Sequence, residues 1–264
     1  NDIPVFSIFA LFFKYIKSGV PKNKAMAKVV KPYKEDGSKK EQVSNMFDNI
    51  APYYDFLNRF LSLGVDTIWR KKMIAELNKT RPDVVMDMAT GTGDVALEIA
   101  KQTGATRIVG VDISPQMLEI GKKKVKKADL DQRIEMYVGD SENLTFEDNT
   151  FDGATVAFGV RNYENLDKGL QEMNRVLKPG GQLVVLEFSK PTIFPFKQGF
   201  NAYFKYILPN IGKLTSKDPK AYGYLYESVQ AFPDGADFLE IMKKNGYKNT
   251  TMQPLTLGIC TIYK

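Results

Sequence analysis

Several carboxylates and a pair of glycines stand at spacings that suit recognition of a nucleoside. The segment Asp87-Met88-Ala89-Thr90-Gly91-Thr92-Gly93-Asp94 joins a β-branched apolar run to a helical one. Glycines at such a junction let the backbone approach a ligand closely and adopt angles that other residues resist. Asp112 closes the next apolar run, nineteen residues after Gly93, where a carboxylate can accept both hydroxyls of a ribose. Asp140-Ser141 follow the third run and suit the exocyclic amine of adenine. Asp87, Gly91, Gly93, Asp112, Asp140 and Ser141 are therefore candidate binding residues for one adenosine-like ligand, held where open α/β sheets bind ligands.

Three readings of the glycine turn compete. It can be only a tight turn. It can also hold a dinucleotide, because Gly91-x-Gly93-x-x-Ala96 satisfies the loose fingerprint. Against that, Asp94 opens the helix where a pyrophosphate would rest on the helix N-terminus. A carboxylate there repels phosphate and favours an ammonium, with Asp87 on the same side. That pattern suits S-adenosylmethionine, which carries a sulfonium and no phosphate. A phosphate-binding P-loop is excluded, since no Gly-Lys-Ser/Thr follows the turn.

Composition removes other chemistries. The chain of 264 residues has no histidine and one cysteine, Cys260. An internal disulfide, a Cys/His zinc site and a histidine general base are excluded, so no metal is expected. The formal net charge of +6 leaves a solvated basic surface and attraction to an anionic partner both open.

The elements that must position these residues are legible from periodicity. Ser38 is placed to cap a helix over KKEQVSNMFDNI, with Val43, Met46, Phe47 and Ile50 on its apolar face. A second helix is expected over about Asp66 to Lys79, burying Ile68, Trp69, Met73 and Leu77. Apolar runs at Val84–Met88, Arg107–Val111, Ile134–Val138, Gly153–Phe158 and Gln182–Phe188 alternate with helical segments, which implies a parallel sheet covered on both faces. Lys178-Pro179-Gly180-Gly181 is expected to stop a helix and turn into the fifth strand. Thr250–Leu255 and Gly258–Tyr263 read as two strands joined by a tight turn.

Three further stretches are specific: RVLKPGGQLVVLEFS at Arg175–Ser189, YDFLNRFLS at Tyr54–Ser62 and FGVRN at Phe158–Asn162. Together they strongly resemble the UbiE/MenG/Coq5 family of quinone-biosynthesis C-methyltransferases, over roughly Lys31 to Lys264. Leu57 stands where the family usually has Met, and Asp66 where it usually has His. The resemblance implies the class I methyltransferase fold: a Rossmann-like, seven-stranded, mainly parallel sheet with an antiparallel last strand, helices on both faces and an N-terminal helical cap. It implies S-adenosyl-L-methionine as methyl donor, with contacts at Thr92, Asp112, Asp140 and Ser141. It also implies methylation of a polyprenyl hydroquinone: demethylmenaquinol by overall likeness, or else 2-methoxy-6-polyprenyl-1,4-benzoquinol. A non-catalytic scaffold of the same fold is the competing class, which retention of Thr92, Asp112, Asp140, Arg161 and Asn162 disfavours.

For such chemistry Arg161 and Asn162 are expected at the methyl end of the cofactor. Arg161 would stabilise a phenolate or hold a water, or else form a structural ion pair. Asn162 would bond a quinol oxygen. Tyr54 would cap the methyl region or merely cover adenosine, and Asp55 would accept a proton or cap its helix.

Residues 1–37 read as a tail, followed by one domain over 38–264 with a lid insertion at about 192–230. Ile3–Phe13 is an apolar run of eleven residues, too short to span a bilayer. It is either a weak membrane anchor or upstream of the native start, for which Met26 is the candidate. Phe194, Phe196, Phe200, Tyr203, Phe204 and Ile207 would line a polyprenyl channel, dip into a membrane surface, or pack on the core or a second copy. The expected setting is the cytoplasm, with peripheral contact at the inner face of the membrane. No nucleic-acid partner is expected, and a homodimer is the remaining partner expectation.

Overall fold

The computed structural model describes residues 30–33, 36–203, 206 and 220–264. Before the sheet come three helices: α1 (Lys39–Ile50), α2 (Tyr54–Ser62) and α3 (Val65–Leu77). The Ser38 side chain accepts from the Glu41 amide, and Glu41 returns a bond to the Ser38 amide, so α1 opens on a capping box. The sheet then alternates β1 (Val84–Met88), α4 (Asp94–Gln102), β2 (Arg107–Asp112), α5 (Pro115–Lys127), β3 (Ile134–Val138), β4 (Phe151–Ala157), α6 (Leu166–Val176) and β5 (Leu177–Phe188). It finishes with α7 (Phe196–Ala202), α8 (Lys220–Ala231), α9 (Ala236–Lys244), β6 (Met252–Leu255) and β7 (Cys260–Tyr263).

The strands lie in the order β3-β2-β1-β4-β5-β7-β6. β1 to β5 are mutually parallel, and β7 runs antiparallel to both neighbours. Successive residues feed two cores. Val85, Ile108 and Val184 pack under Trp69, Met73 and Leu77 of α3, while Met86, Val109 and Val185 pack against Met173 of α6 and Phe238 of α9. Burial on both faces explains the unbroken apolar runs.

Four local expectations need correction. Ile68 is 53% exposed, although its neighbours Trp69 and Met73 are buried, because the helical twist turns it away from the sheet. The second helix starts at Val65 and ends at Leu77, with a 3-10 turn over Asn78–Thr80. Lys178-Pro179-Gly180-Gly181 does not precede the fifth strand but lies within it. Leu177 already pairs with Phe151, and the ladder resumes at Gly153–Gln182 after a register shift. β6 and β7 are shorter than expected and are joined by a 3-10 turn at Thr256–Gly258. Residues 1–29, including Ile3–Phe13 and Met26, lie outside the described residues, as do Phe204 and Ile207. Val30 and Tyr33 pack beside Val43 and Met46 of α1. Among the described residues no helix is long and apolar enough to cross a membrane.

Candidate active site

Parallel strands release their loops at one edge, and the glycine turn belongs to that edge. Gly91 has φ +56° and Gly93 φ +77°. A Cβ on Gly91 would meet only the Tyr54 ring, at 3.9 Å. Ala89 and Phe158 also adopt left-handed backbone, φ +56° and +58°, at a cost of about 1 kcal/mol each. They follow the adjacent strands β1 and β4 and both line one cleft. Backbone strain concentrated beside a cleft is the pattern of a ligand site.

Six of the expected residues line that cleft: Tyr54, Gly91, Asp112, Asp140, Ser141 and Asn162. The Asp112 carboxylate accepts from the Gly91 and Ser114 amides, each at 2.8 Å. Burial raises its pKa to about 6, against the pull of these amides. Ile113 and Met117 give the cleft an apolar wall beside it. Asp140 accepts from the Glu142 amide at 2.9 Å and forms an ion pair with Lys40. Tyr54 stands edge-on to Phe47, 6.0 Å between ring centroids, and burial raises its phenol pKa, so it stays protonated. Asn162 Oδ1 accepts from the Tyr224 hydroxyl at 3.1 Å, and its Nδ2 leans on the Phe158 carbonyl at 3.4 Å. These two contacts fix which way the amide points.

The other five sit behind the cleft. Asp87 accepts from Thr90 Oγ1 at 2.6 Å and Thr155 Oγ1 at 2.7 Å, which makes it a brace under the turn; burial raises its pKa to about 6. A Cβ on Gly93 would collide with Met136 Cε at 2.4 Å, so this glycine is required by packing. Thr92 Oγ1 donates to Asp55 at 2.6 Å and accepts from Lys124 at 2.9 Å. Asp55 also pairs with Lys124 at 2.5 Å. Arg161 pairs with the buried Glu187 at 2.8 Å, donates to the Phe158 carbonyl and lies 5.6 Å over the Phe188 ring.

Asp94 is not the free carboxylate the charge argument assumed. It pairs with Arg59, Arg70 and Lys124 at 2.8, 2.8 and 2.7 Å. Burial would raise its pKa, but these cations outweigh burial and hold it below the ordinary value. Asp66, where the family resemblance expects His, pairs with Arg59 and with Arg70 at 3.3 Å and accepts from Ser62 at 2.7 Å. Arg59, Arg70 and Lys124 thus balance Asp55, Asp66 and Asp94.

Sequence reasoning missed the polar tethers of α1. Lys39 is buried and donates from Nζ to the carbonyls of Arg161 and Tyr163 at 3.0 and 2.8 Å. Burial, reinforced by the Arg161 charge, lowers its pKa to about 8. Ser44 donates to the Ile113 carbonyl at 3.1 Å, and Asp48 accepts from Ser114 Oγ at 2.5 Å. One helix thereby ties down the loops after β2, β3 and β4. Among the described residues no group of three or more His, Cys, Asp or Glu side chains is placed to hold a metal ion.

The sheet order and the cleft at its carboxyl edge define a class I, Rossmann-like methyltransferase fold. A SAM-dependent methyltransferase of Thermotoga maritima shares this fold, with a TM-score of 0.56 at 16% identity, over 83% of this chain and 97% of that one. The chain belongs to the ubiE/COQ5 methyltransferase family, whose model matches residues 35–264. It is 50% identical over 234 residues to a demethylmenaquinone methyltransferase of Bacteroides fragilis, covering 89% of this chain and 96% of that protein. It is 48% identical over 226 residues to the ubiquinone/menaquinone biosynthesis C-methyltransferase UbiE of Geotalea daltonii, covering 85% and 96%. Membership in the family, not Asp94, decides between a methyl donor and a dinucleotide.

Proposed function

We propose that this chain methylates a ring carbon of demethylmenaquinol with S-adenosylmethionine as donor, giving menaquinol in the final step of menaquinone biosynthesis. The observation that carries this reading is one cleft lined both by the nucleoside candidates Asp112 and Asp140 and by Tyr54 and Asn162. The residues fit the donor. Gly91 leaves the backbone bare, Asp112 would accept from the two ribose hydroxyls, Ile113 and Met117 would give the purine an apolar wall, and Asp140-Ser141 would hold its amine. When bound, the donor supplies a methyl group on a cationic sulfur.

The protein's part is alignment and charge stabilisation. Loss of a hydroxyl proton to solvent as the quinol enters makes the adjacent ring carbon nucleophilic; once that carbon carries the methyl, its ring hydrogen leaves as a proton and the hydroxyl is restored. Asn162 Nδ2 donates to the resulting oxyanion, with Tyr224 holding its Oδ1. Tyr54 covers the transfer zone and excludes water. Arg161 acts through the turn Val160–Asn162, which it holds from behind by its bonds to Phe158 and Glu187. Asp55, committed to Thr92 and Lys124, positions α2 and is not assigned the proton.

The polyprenyl tail dissolves in a bilayer, so peripheral contact at the inner membrane face belongs to this reading. Pairing of two copies through the same apolar side chains is the competing arrangement. The name of the Geotalea relative spans both quinones, which keeps 2-methoxy-6-polyprenyl-1,4-benzoquinol as the second substrate to test. Incubation with methyl-labelled donor and each reduced precursor, followed by mass spectrometry of the lipids, should show label in menaquinol. No label in either lipid would sink the reading.

A further inference from the structure

The exposed large apolar side chains gather at the edge of the sheet that carries the cleft. On α2, Leu57 and Leu61 face inward and join Phe200 and Tyr222. The opposite side of the same helix bears Phe56 and Phe60, exposed by 64% and 49%, with the exposed Tyr53 just before the helix and Leu63, 74% exposed, at its C-cap. A spacing of four residues places Phe56 and Phe60 on one face, and their rings stack at 5.9 Å. An amphipathic helix normally buries its aromatic stripe; this one carries a second stripe turned to solvent.

Three other segments bring apolar side chains to the same edge. The chain after β5 exposes Ile193, Phe194 and Phe196. The Tyr203 hydroxyl, just past α7, donates to the Leu61 carbonyl at 2.9 Å, which fastens this segment to α2. The turn between β6 and β7 exposes Leu257, and Ser189 bonds that turn at Gly258. Trp69 Nε1 donates to Thr256 at 2.8 Å, which sets the exposed Ile68 beside it.

Charge selects the occupant. Lys71 and Lys72, both exposed, stand three and four residues from Ile68 on the same helical face. Lys197 of α7 is exposed one residue from Phe196, and between Phe188 and Asp218 the sequence carries no acidic residue. The carboxylates nearest the stripe, Asp55 and Asp66, are already neutralised by Lys124, Arg59 and Arg70. An aromatic, acid-poor surface rimmed with lysines is complementary to an anionic lipid surface.

We infer that the outer face of α2, with Ile68, Ile193, Phe194 and Leu257, is a docking surface for anionic bilayers that sets the cleft edge of the sheet against the lipid. This rests on the quinol reading for its purpose but not for its geometry. It also makes α2 a lipid-facing element.

Cys260 is buried and its thiol pKa is raised well above the ordinary value by burial, so a second cysteine can be labelled selectively. In the full chain, Phe56→Cys and, at the opposite edge, Asp131→Cys would each carry an environment-sensitive dye. With vesicles of phosphatidylglycerol and phosphatidylcholine, the dye at 56 should shift to the blue and be quenched by bromolipids, while the dye at 131 should not change. Phe56→Ser with Phe60→Ser should weaken vesicle binding about tenfold or more and leave methylation of a short-chain, water-soluble quinol unchanged. A chain that co-sediments with vesicles while the dye at 56 stays in water would overturn the proposal. So would a dye shift without vesicles that follows dimer formation in sedimentation. If the unmodified chain fails to methylate the soluble quinol, the functional reading falls, whatever the dye reports.

Discussion

Asp55 of α2 accepts a hydrogen bond of 2.6 Å from Thr92 in the glycine turn, so the helix that carries Tyr54 is fastened to the loop that carries Gly91. Lys124 of α5 closes the triangle, 2.9 Å from Thr92 and 2.5 Å from Asp55. Asp55→Asn and Thr92→Val should each weaken donor binding. The double variant should lose less than the sum, with a coupling of about 1 kcal/mol, measured by titration calorimetry. Strictly additive losses would mean that the two residues act separately.

The Arg161–Glu187 pair is buried on both sides. Arg161→Met should destabilise the chain by about 3–5 kcal/mol, because it strands the Glu187 carboxylate. Adding Glu187→Leu should recover most of that in denaturant unfolding. Turnover should stay low in the double variant while donor affinity holds, since the turn bearing Asn162 loses its support. Full recovery of turnover would remove Arg161 from the positioning of the site.

Ribose recognition needs Asp112 ionised, and burial sets its pKa at about 6. Donor affinity should be flat above neutrality and fall by up to tenfold per pH unit below about 6. Asp112→Asn should bind weakly at every pH. On stability the sign is opposite. Asp87 and Asp112, both near 6 when folded and near ~3.9 when unfolded, hold protons more tightly in the native state. Their contribution to stability is lost as pH rises through 6, and thermal melts should show that part regained on mild acidification.

Gly91→Ala tests the close approach at the turn. The φ of +56° costs an alanine about 1–2 kcal/mol, while the nearest side-chain atom is 3.9 Å away. The variant should therefore fold with a modest loss of melting temperature, yet lose at least about tenfold in donor affinity because the methyl enters the ligand's space. Unchanged binding would place the ligand elsewhere.

What was legible in the sequence follows from where each signal originates. The five parallel strands announce themselves because burial on both faces makes continuous apolar runs, and α1 because its capping box is written within four residues, Ser38 to Glu41. The strand ends carrying Asp112 and Asp140 follow from the same periodicity. Lys178–Gly181 misleads because a Pro-Gly-Gly cluster reads as a turn, whereas the ladder to β4 absorbs it as an irregularity. Ile68 misleads because one apolar residue beside Trp69 looks like its partner in the core. Lys39 is illegible for a deeper reason. Its burial is set by carbonyls 122 and 124 positions away, and nothing local separates it from a solvated lysine.

The balanced set of Arg59, Arg70 and Lys124 with Asp55, Asp66 and Asp94 bears on how such a chain can drift over generations. A single replacement among these six leaves an odd charge beneath the glycine turn, so substitutions there should become fixed in compensating pairs. Asp66, where the family resemblance expects His, is the acidic member of that set that Arg59 and Arg70 balance.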